Sequence, residues 1–525
     1  MTFDVPRADP LLLPALLADF EAANYTIDGV AELLGESGYA ALNREQFGAA
    51  LLSTERSESA LATLIRFFLL ARPVSIEKLE AALPRLGVVG LGSLGLAETV
   101  ELAETAGTEC RVLADLRPYA FQDEQGEVRL WVCSDLAAHQ SPGVLRRDHV
   151  LGIGGASLSL AQATIRKPMR RALDLGCGCG IQTLHLLRHA EHVTATDISE
   201  RALGFTRFNL LLNAAALGLD AENLNARVEL RLGSLLQPVA GEEFDLVVSN
   251  PPFVITPRHP DEAASEQFTY RDGGLPGDEL VSSLIQGLPR VLAEAGSAQL
   301  LGNWEIPRSA ASWQQRLEPW FADDLDYWLI QREQLSPEQY AETWLQDASQ
   351  GREPEGYASV YREYLLDFEA RQIASIGFGM LWLRRSVSAG SSSRLRRMEG
   401  IDHPIEQPIG PALAASIERH DWLSASTAED LDAAKLLVAE DVTEERHQRP
   451  GAEHPGVILL RQGAGLRRTT LLSTELAGFV SACDGTLSVG QIIAALEALL
   501  GRGLELREEI RQLILDGFLI PDQPS

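Results

Sequence analysis

Cysteine and positive charge are both scarce in this chain of 525 residues, which has 5 Cys and 45 Lys plus Arg against 74 Asp plus Glu, for a net charge of −29. The cysteines, Cys110, Cys133, Cys177, Cys179 and Cys483, form an odd, scattered set with two members inside a glycine loop. Neither a disulfide framework nor a zinc-ligand spacing can be read from them. The histidines and cysteines do not combine into a readable metal-ligand motif, so no metal site is expected. The acidic excess opposes sequence-independent binding to a phosphate backbone, and any nucleic-acid contact has to be local. Long apolar runs are missing too: Pro, Gly or charge interrupts each one well before bilayer-spanning length, and residues 1–9 hold no basic segment ahead of Leu11. The expectation is a cytoplasmic chain with no membrane segment; oligomeric state is not readable.

The chain is too long for one ordinary core, so about three domains are expected. Residues 1–95 read as helical, winged-helix-like, with apolar positions at helical spacing in 11–20, 27–34, 47–52 and 61–70, and Ser75 as N-cap of 76–83. Residues 96–145 read as a small β element with strands at 110–113 and 128–133 around a turn at 123–126. From 146 to 385, strands alternate with helices, which implies an α/β domain on a mainly parallel, Rossmann-like sheet of about seven strands. Its strands are expected at 172–175, 192–196, 228–232, 244–248, 298–301, 325–330 and 376–383, its helices at 181–188, 201–214, 280–293 and 313–321, and a helical insertion at 334–371. Residues 386–410, opening on a Ser-rich stretch, read as a linker, and 411–525 as a winged-helix-like domain in which Thr474 and Ser488 cap helices.

Two constellations carry chemistry. Asp174-Leu-Gly176-Cys177-Gly178-Cys-Gly180 follows the first expected strand of the α/β region and opens a helix, where glycines let the main chain approach a ligand closely. Asp197 ends the next strand, 23 positions on, where a carboxylate can take both hydroxyls of a ribose. A dinucleotide site shares this plan, but an acid inside the strand and glycines at alternate positions argue against NAD. Asn250-Pro251-Pro252-Phe253 closes the fourth strand with a donor–acceptor amide, a rigid proline pair and an aromatic face, a clamp for a flat nitrogen-bearing group.

The first constellation resembles the class I S-adenosylmethionine-dependent methyltransferases. The second is similar to the motif of N-methyltransferases acting on planar nitrogens, among them the HemK-like glutamine-N5 enzymes and the adenine-N6 and guanine-N2 base enzymes. The resemblance implies S-adenosyl-L-methionine as cofactor, held by Asp174, Gly176, Cys177, Gly178, Gly180, Asp197, Ile198, Ser234, Leu235 and Asn250. It implies that Asn250, Pro251, Pro252 and Phe253 form the catalytic clamp, with the Asn250 side chain and the next carbonyl accepting from the target NH2. Ser234 stands where many relatives have an acid facing the adenine.

Residues 254–257 and 271–278 are similar to the glutamine-N5 branch that modifies release factors, whereas Phe253 in place of Tyr is more frequent in base-modifying enzymes. Residues 152–157 occupy the place where relatives fold a segment over the methionine end of the cofactor. Arg146, Arg147, Arg166, Lys167, Arg170 and Arg171 make a local basic stretch, read chiefly as a solvated face. His259 is a loop histidine, more readily solvated than a general base. The expected activity is methyl transfer to a planar nitrogen of a macromolecule. Protein glutamine N5 of a release-factor-like partner is favoured, a base in structured RNA or DNA is the alternative, and a non-catalytic cofactor-binding scaffold is a distant third.

Overall fold

The computed structural model describes residues 4–101, 108–141, 145–258, 272–347, 354–386 and 394–522. They fall into two compact units, one comprising 1–161, 168–323 and 334–385, the other 162–167, 324–333 and 386–525.

The first unit opens with short helices. Leu12–Ala22, Ile27–Leu42, Ala60–Leu64 and Ile76–Ala82 lead, and Thr26, Ser59 and Ser75 each cap a helix by accepting a main-chain N–H at N3. The expected Ser75 cap is thus present. Val74–Ser75, Thr108–Val112 and Ala97–Glu101 pair into a small antiparallel sheet. The hairpin Asp115–Asp123/Gly126–Ser134 follows. Its Trp131 indole donates to the Tyr25 carbonyl at 2.8 Å, and the ring lies 5.8 Å from Phe20, so the hairpin is fixed to the helices through one aromatic core. On its other side, the Asn209 and Asn213 side chains accept the Cys133 and Trp131 N–H groups at 2.8 and 2.9 Å.

The rest of this unit is a mixed α/β fold on a mainly parallel sheet. Its strands lie side by side in the order Ile373–Arg385, Leu292–Pro307, Phe244–Ser249, Met169–Leu175, Ala190–Asp197 and Val228–Leu232. The first pair is antiparallel and the others parallel. The strand earliest in the chain, Met169–Leu175, sits between the later Phe244–Ser249 and the next, Ala190–Asp197. The succession reverses there, which opens a crevice beyond the carboxyl ends of those strands. Both chemical motifs emerge at this point.

Several boundaries differ from expectation. The helix expected at 280–293 runs only from Glu279 to Gly287, because Pro289 cannot supply the next helical N–H. The strand after it starts at Leu292 and reaches Pro307, with a register shift between Leu292 and Ser297, where Ala295 has a left-handed φ of 59°. The helix expected at 313–321 is cut to Trp313–Leu317 by Pro319. The helical insertion is present as Pro337–Asp347 and Pro354–Ala370.

In the second unit, Tyr327–Gln331 of strand Leu325–Leu335 pair in parallel with Arg396–Gly400, a strand inside the stretch read as linker. Residues 387–393 of that stretch lie outside the described residues. Helices Gly410–Ala425, Thr474–Ser481, Val489–Leu500 and Arg507–Asp516 pack with two three-stranded sheets around Phe479, Ile510, Ile514 and Phe518. Ser488 caps its helix in a reciprocal box with Gln491, as expected, but Ser473 and not Thr474 caps the preceding one.

Candidate functional site

The crevice contains a cavity of about 500 Å³ lined by three groups of residues. The first is the glycine loop with Gly176, Cys177 and Gly178, and with Gln182 on the helix it opens. The second is the end of the next two strands, with Asp197, Ile198, Ser234 and Leu235. The third is the clamp, with Ser249, Asn250, Pro251 and Pro252. These cofactor and clamp residues, chosen from sequence, converge on one space. Phe253 is not among the lining residues; the wall ends at Pro252. Asp174 and Gly180 stand behind it.

Each part is held for a physical reason. Asp174, 1% exposed, accepts from the Thr183 N–H and hydroxyl at 2.8 and 2.6 Å, tying the strand end to the first turn of helix Ile181–Leu186. Burial pushes its carboxyl up to about 7 against the two Thr183 hydrogen bonds, with the Asp197 charge adding to the rise. It is therefore a loop buttress, and its other oxygen, Oδ1, has no hydrogen-bond partner among the described residues. The Thr206 hydroxyl donates to the Gly178 carbonyl at 2.9 Å, and Asn209 Nδ2 donates to the Cys179 carbonyl at 2.8 Å, so helix Glu200–Leu212 grips the loop from outside. The Cys177 thiol is buried, which raises its pKa well above normal and leaves it inert.

Asp197 accepts the Gly178 and Ser199 N–H groups at 2.9 and 2.8 Å. Burial raises its pKa, opposed by main-chain N–H groups of Ser199, Gly178 and Ile198. Ser249 donates to the Leu175 carbonyl at 2.8 Å, pinning the clamp strand to the glycine-loop strand. The Asn250 Oδ1 that follows is buried and has no hydrogen-bond partner among the described residues. A buried amide oxygen pointing at nothing costs free energy unless something donates to it.

The remaining walls come from segments on either side of the motifs. His149, Val150, Leu151, Gly152 and Ser157 form one, and Asp272, Gly273, Gly274 and Leu275 another. These include the expected 152–157 segment and part of 271–278. Asp272 accepts from Thr256 Oγ1 at 2.6 Å and from the Gly274 N–H at 2.9 Å, and pairs with Arg258, so the stretch after the clamp folds back onto the cavity. His259 and Arg271 lie outside the described residues.

The network behind the His149 wall has no signal in the local residue pattern. Arg201 forms a two-point pair with Asp135 at 2.6 and 2.7 Å and donates to the Asp148 carbonyl at 3.0 Å. Asp135 also accepts the Val150 N–H at 2.7 Å. Burial lowers the His149 pKa despite Asp135 nearby. Three of the six residues of the basic stretch are paired with acids: Arg146 with Asp148 and Asp4, Lys167 with Glu418, and Arg171 with Glu242.

The cavity fits a ribose-bearing sulfonium. It has the Asp197 carboxylate beside a glycine loop that is open on the cavity side. No Lys or Arg is among its described lining residues, and Asp197 and Asp272 give it negative charge. Residues 136–270 match the family described as Methyltransferase small domain, and residues 22–107 match a domain of unknown function, DUF7059. The chain is similar to the release factor glutamine methyltransferase of Cereibacter sphaeroides, with 33% identity over 153 residues, 27% of this chain and 51% of the relative. It is similar to the ribosomal protein uL3 glutamine methyltransferase of Bradyrhizobium diazoefficiens, with 30% identity over 159 residues, 29% of this chain and 46% of the relative. It is also similar to the ribosomal RNA small subunit methyltransferase C of Citrobacter koseri, with 27% identity over 184 residues, 35% of this chain and 44% of the relative. The chain spans about half the length of the curated relatives it matches. The 136–270 stretch matches the methyltransferase small domain, and S-adenosylmethionine is the cofactor that goes with that family.

Proposed function

We propose that the chain methylates a planar amide nitrogen, the side-chain nitrogen of a glutamine in a partner protein. The observation that carries this is the buried Asn250 Oδ1, without a hydrogen-bond partner among the described residues, beside the glycine loop in one cavity. S-adenosylmethionine, when bound, supplies an activated methyl on a positively charged sulfur. Asp197 would hold its ribose and the loop from Gly176 to Gly178 would follow its methionine part. Ser234 and Leu235 would line the adenine side.

Asn250 Oδ1 and the Pro251 carbonyl would accept the acceptor's two N–H hydrogens, fixing its plane and aiming the nitrogen lone pair into the cavity. As that nitrogen loses electron density, the same two oxygens stabilise the growing positive charge. Positioning and exclusion of water then supply most of the rate, with no nucleophilic side chain needed. A glutamine is favoured over a base because the chain is strongly acidic and half of its basic stretch is paired with acids.

The test is transfer of labelled methyl into fractionated cell extract, with Asn250→Ala as control. Label that enters protein, survives nuclease and disappears in the variant supports the reading. Nuclease-sensitive label would move the acceptor to a nucleobase. Label independent of Asn250, or none, overturns the assignment.

A further inference from the structure

The helical insertion comes down on the residues just after the clamp. Tyr340 and Trp344, one helical turn apart on Pro337–Asp347, share a face of that helix. The Tyr340 hydroxyl, fully buried, accepts the Ile255 N–H at 2.8 Å and the Asn303 side-chain N–H at 2.8 Å. Ala341 and Leu345 are buried alongside it, and Tyr340 stacks on Phe378 at 5.6 Å. The helix is thus anchored to the segment that leaves the clamp and to two strands of the sheet. Trp344 then meets Phe253 with ring centroids 6.2 Å apart and planes 74° apart. Unlike Tyr340, neither ring is fully buried.

Two partly exposed aromatic rings at nearly a right angle make a corner. A flat group entering it stacks on one ring and presents its edge to the other, the two arrangements aromatic faces favour. The corner stands one residue beyond Pro252, where the cavity wall ends, so a group held there is next to Asn250.

We infer that Trp344 determines specificity: with Phe253 it forms the aromatic corner that receives the planar acceptor, making the insertion the acceptor-selecting part of the chain. This rests on the methyl-transfer reading above. It also assigns to the insertion a role that neither the glycine loop nor the clamp can perform, since both would grip any cofactor-bound site and any planar amine.

The test uses the full chain, labelled S-adenosylmethionine and the protein fraction of a cell extract as acceptor, titrated over a range of concentrations. Trp344→Ala is expected to raise the acceptor concentration for half-maximal labelling by about three- to tenfold, the size of one lost aromatic contact. The rate at saturating acceptor and the calorimetric affinity for S-adenosylmethionine should change much less. Trp344→Phe, which keeps a flat ring, should recover most of the loss. A merely structural role would lower cofactor affinity or maximal rate instead, and that pattern overturns the inference. So does an unchanged acceptor titration with Trp344→Ala while labelling still depends on Asn250. Loss of the Asn250 dependence itself would instead remove the methyl-transfer reading, and the corner with it.

Discussion

Asp197 Oδ2 accepts the main-chain N–H of Gly178 at 2.9 Å, so the acid after the second strand of the sheet also fixes the shape of the glycine loop after the first. The carboxylate joins two walls of the cavity proposed to hold the cofactor. Its charged form is the one that accepts from both a main-chain N–H and a ribose hydroxyl. Burial raises its pKa, so protonation sets in above the ordinary Asp value of about 3.9. Affinity for S-adenosylmethionine is therefore expected to weaken as pH falls toward that raised pKa. Asp197→Ala should weaken it at least tenfold at neutral pH, equivalent to about 1.4 kcal/mol or more. Calorimetry across a pH series checks both; equal binding by wild type and variant would remove Asp197 from the site.

Asp174 gives a pH effect on stability. Its folded-state pKa is about 7, above the unfolded value, so the folded chain binds the extra proton. Stability is then greatest below the unfolded pKa and declines as pH rises through about 7, the reverse of a salt-bridged carboxylate. Asp174→Asn keeps an oxygen for the Thr183 N–H and hydroxyl and cannot ionise. Thermal unfolding followed from pH 5 to 8 should show a smaller decline in the variant than in wild type; parallel curves would sink the assignment.

The Arg201–Asp135 pair supports the wall that carries His149 and Val150. Side-chain exposures of 9% and 12% make it largely dry, and Arg201→Ala leaves Asp135 without its counter-charge. Loss of one partner of a buried pair costs about 3–5 kcal/mol. The Val150 N–H held by the same carboxylate should loosen with it. The expected result is a clear drop in Tm together with weaker cofactor binding. A drop in Tm with unchanged binding would mean that the wall does not depend on the pair.

How much of this was legible in the sequence follows from how locally each feature is encoded. The glycine loop, the register of Asp197 and the Asn250–Phe253 clamp could be read because turn geometry and strand ends are written in consecutive residue types. The insertion was legible as a helical interruption between strands. The Leu292 strand start was not, because its first residue pairs ahead of a register shift that no alternation marks. Neither was the Arg201–Asp135 contact, which spans 66 positions, nor the Tyr340–Ile255 bond, which spans 85. Such pairs have no period, and only the fold brings them together.

Tyr340→Phe tests the anchor of the insertion. The variant keeps the ring and its packing but leaves the buried Ile255 N–H and one Asn303 N–H without their acceptor. Each unsatisfied buried donor costs about 1–3 kcal/mol. A lowered Tm with S-adenosylmethionine affinity retained is expected, since the bond lies outside the cofactor cavity. Unchanged stability would show that the hydroxyl contributes nothing net.

Gly178 and Gly180 separate binding from folding within one loop. Both have left-handed backbone, φ 56° and 87°, so any side chain at either position carries a strain of about 1–2 kcal/mol. A Cβ on Gly178 would meet no atom within 4 Å, and the residue lines the cavity, so the methyl of Gly178→Ala would stand in space the cofactor needs. A Cβ on Gly180 would come within 2.9 Å of Thr206 Cγ2, on the residue whose hydroxyl holds the Gly178 carbonyl. Gly180→Ala must therefore push helix Glu200–Leu212 outward and should lose more Tm than Gly178→Ala. Gly178→Ala should lose cofactor affinity out of proportion to its Tm. Calorimetry and thermal unfolding on the two variants read the two quantities separately; cofactor affinity unchanged in Gly178→Ala would mean that the loop face does not border the bound cofactor.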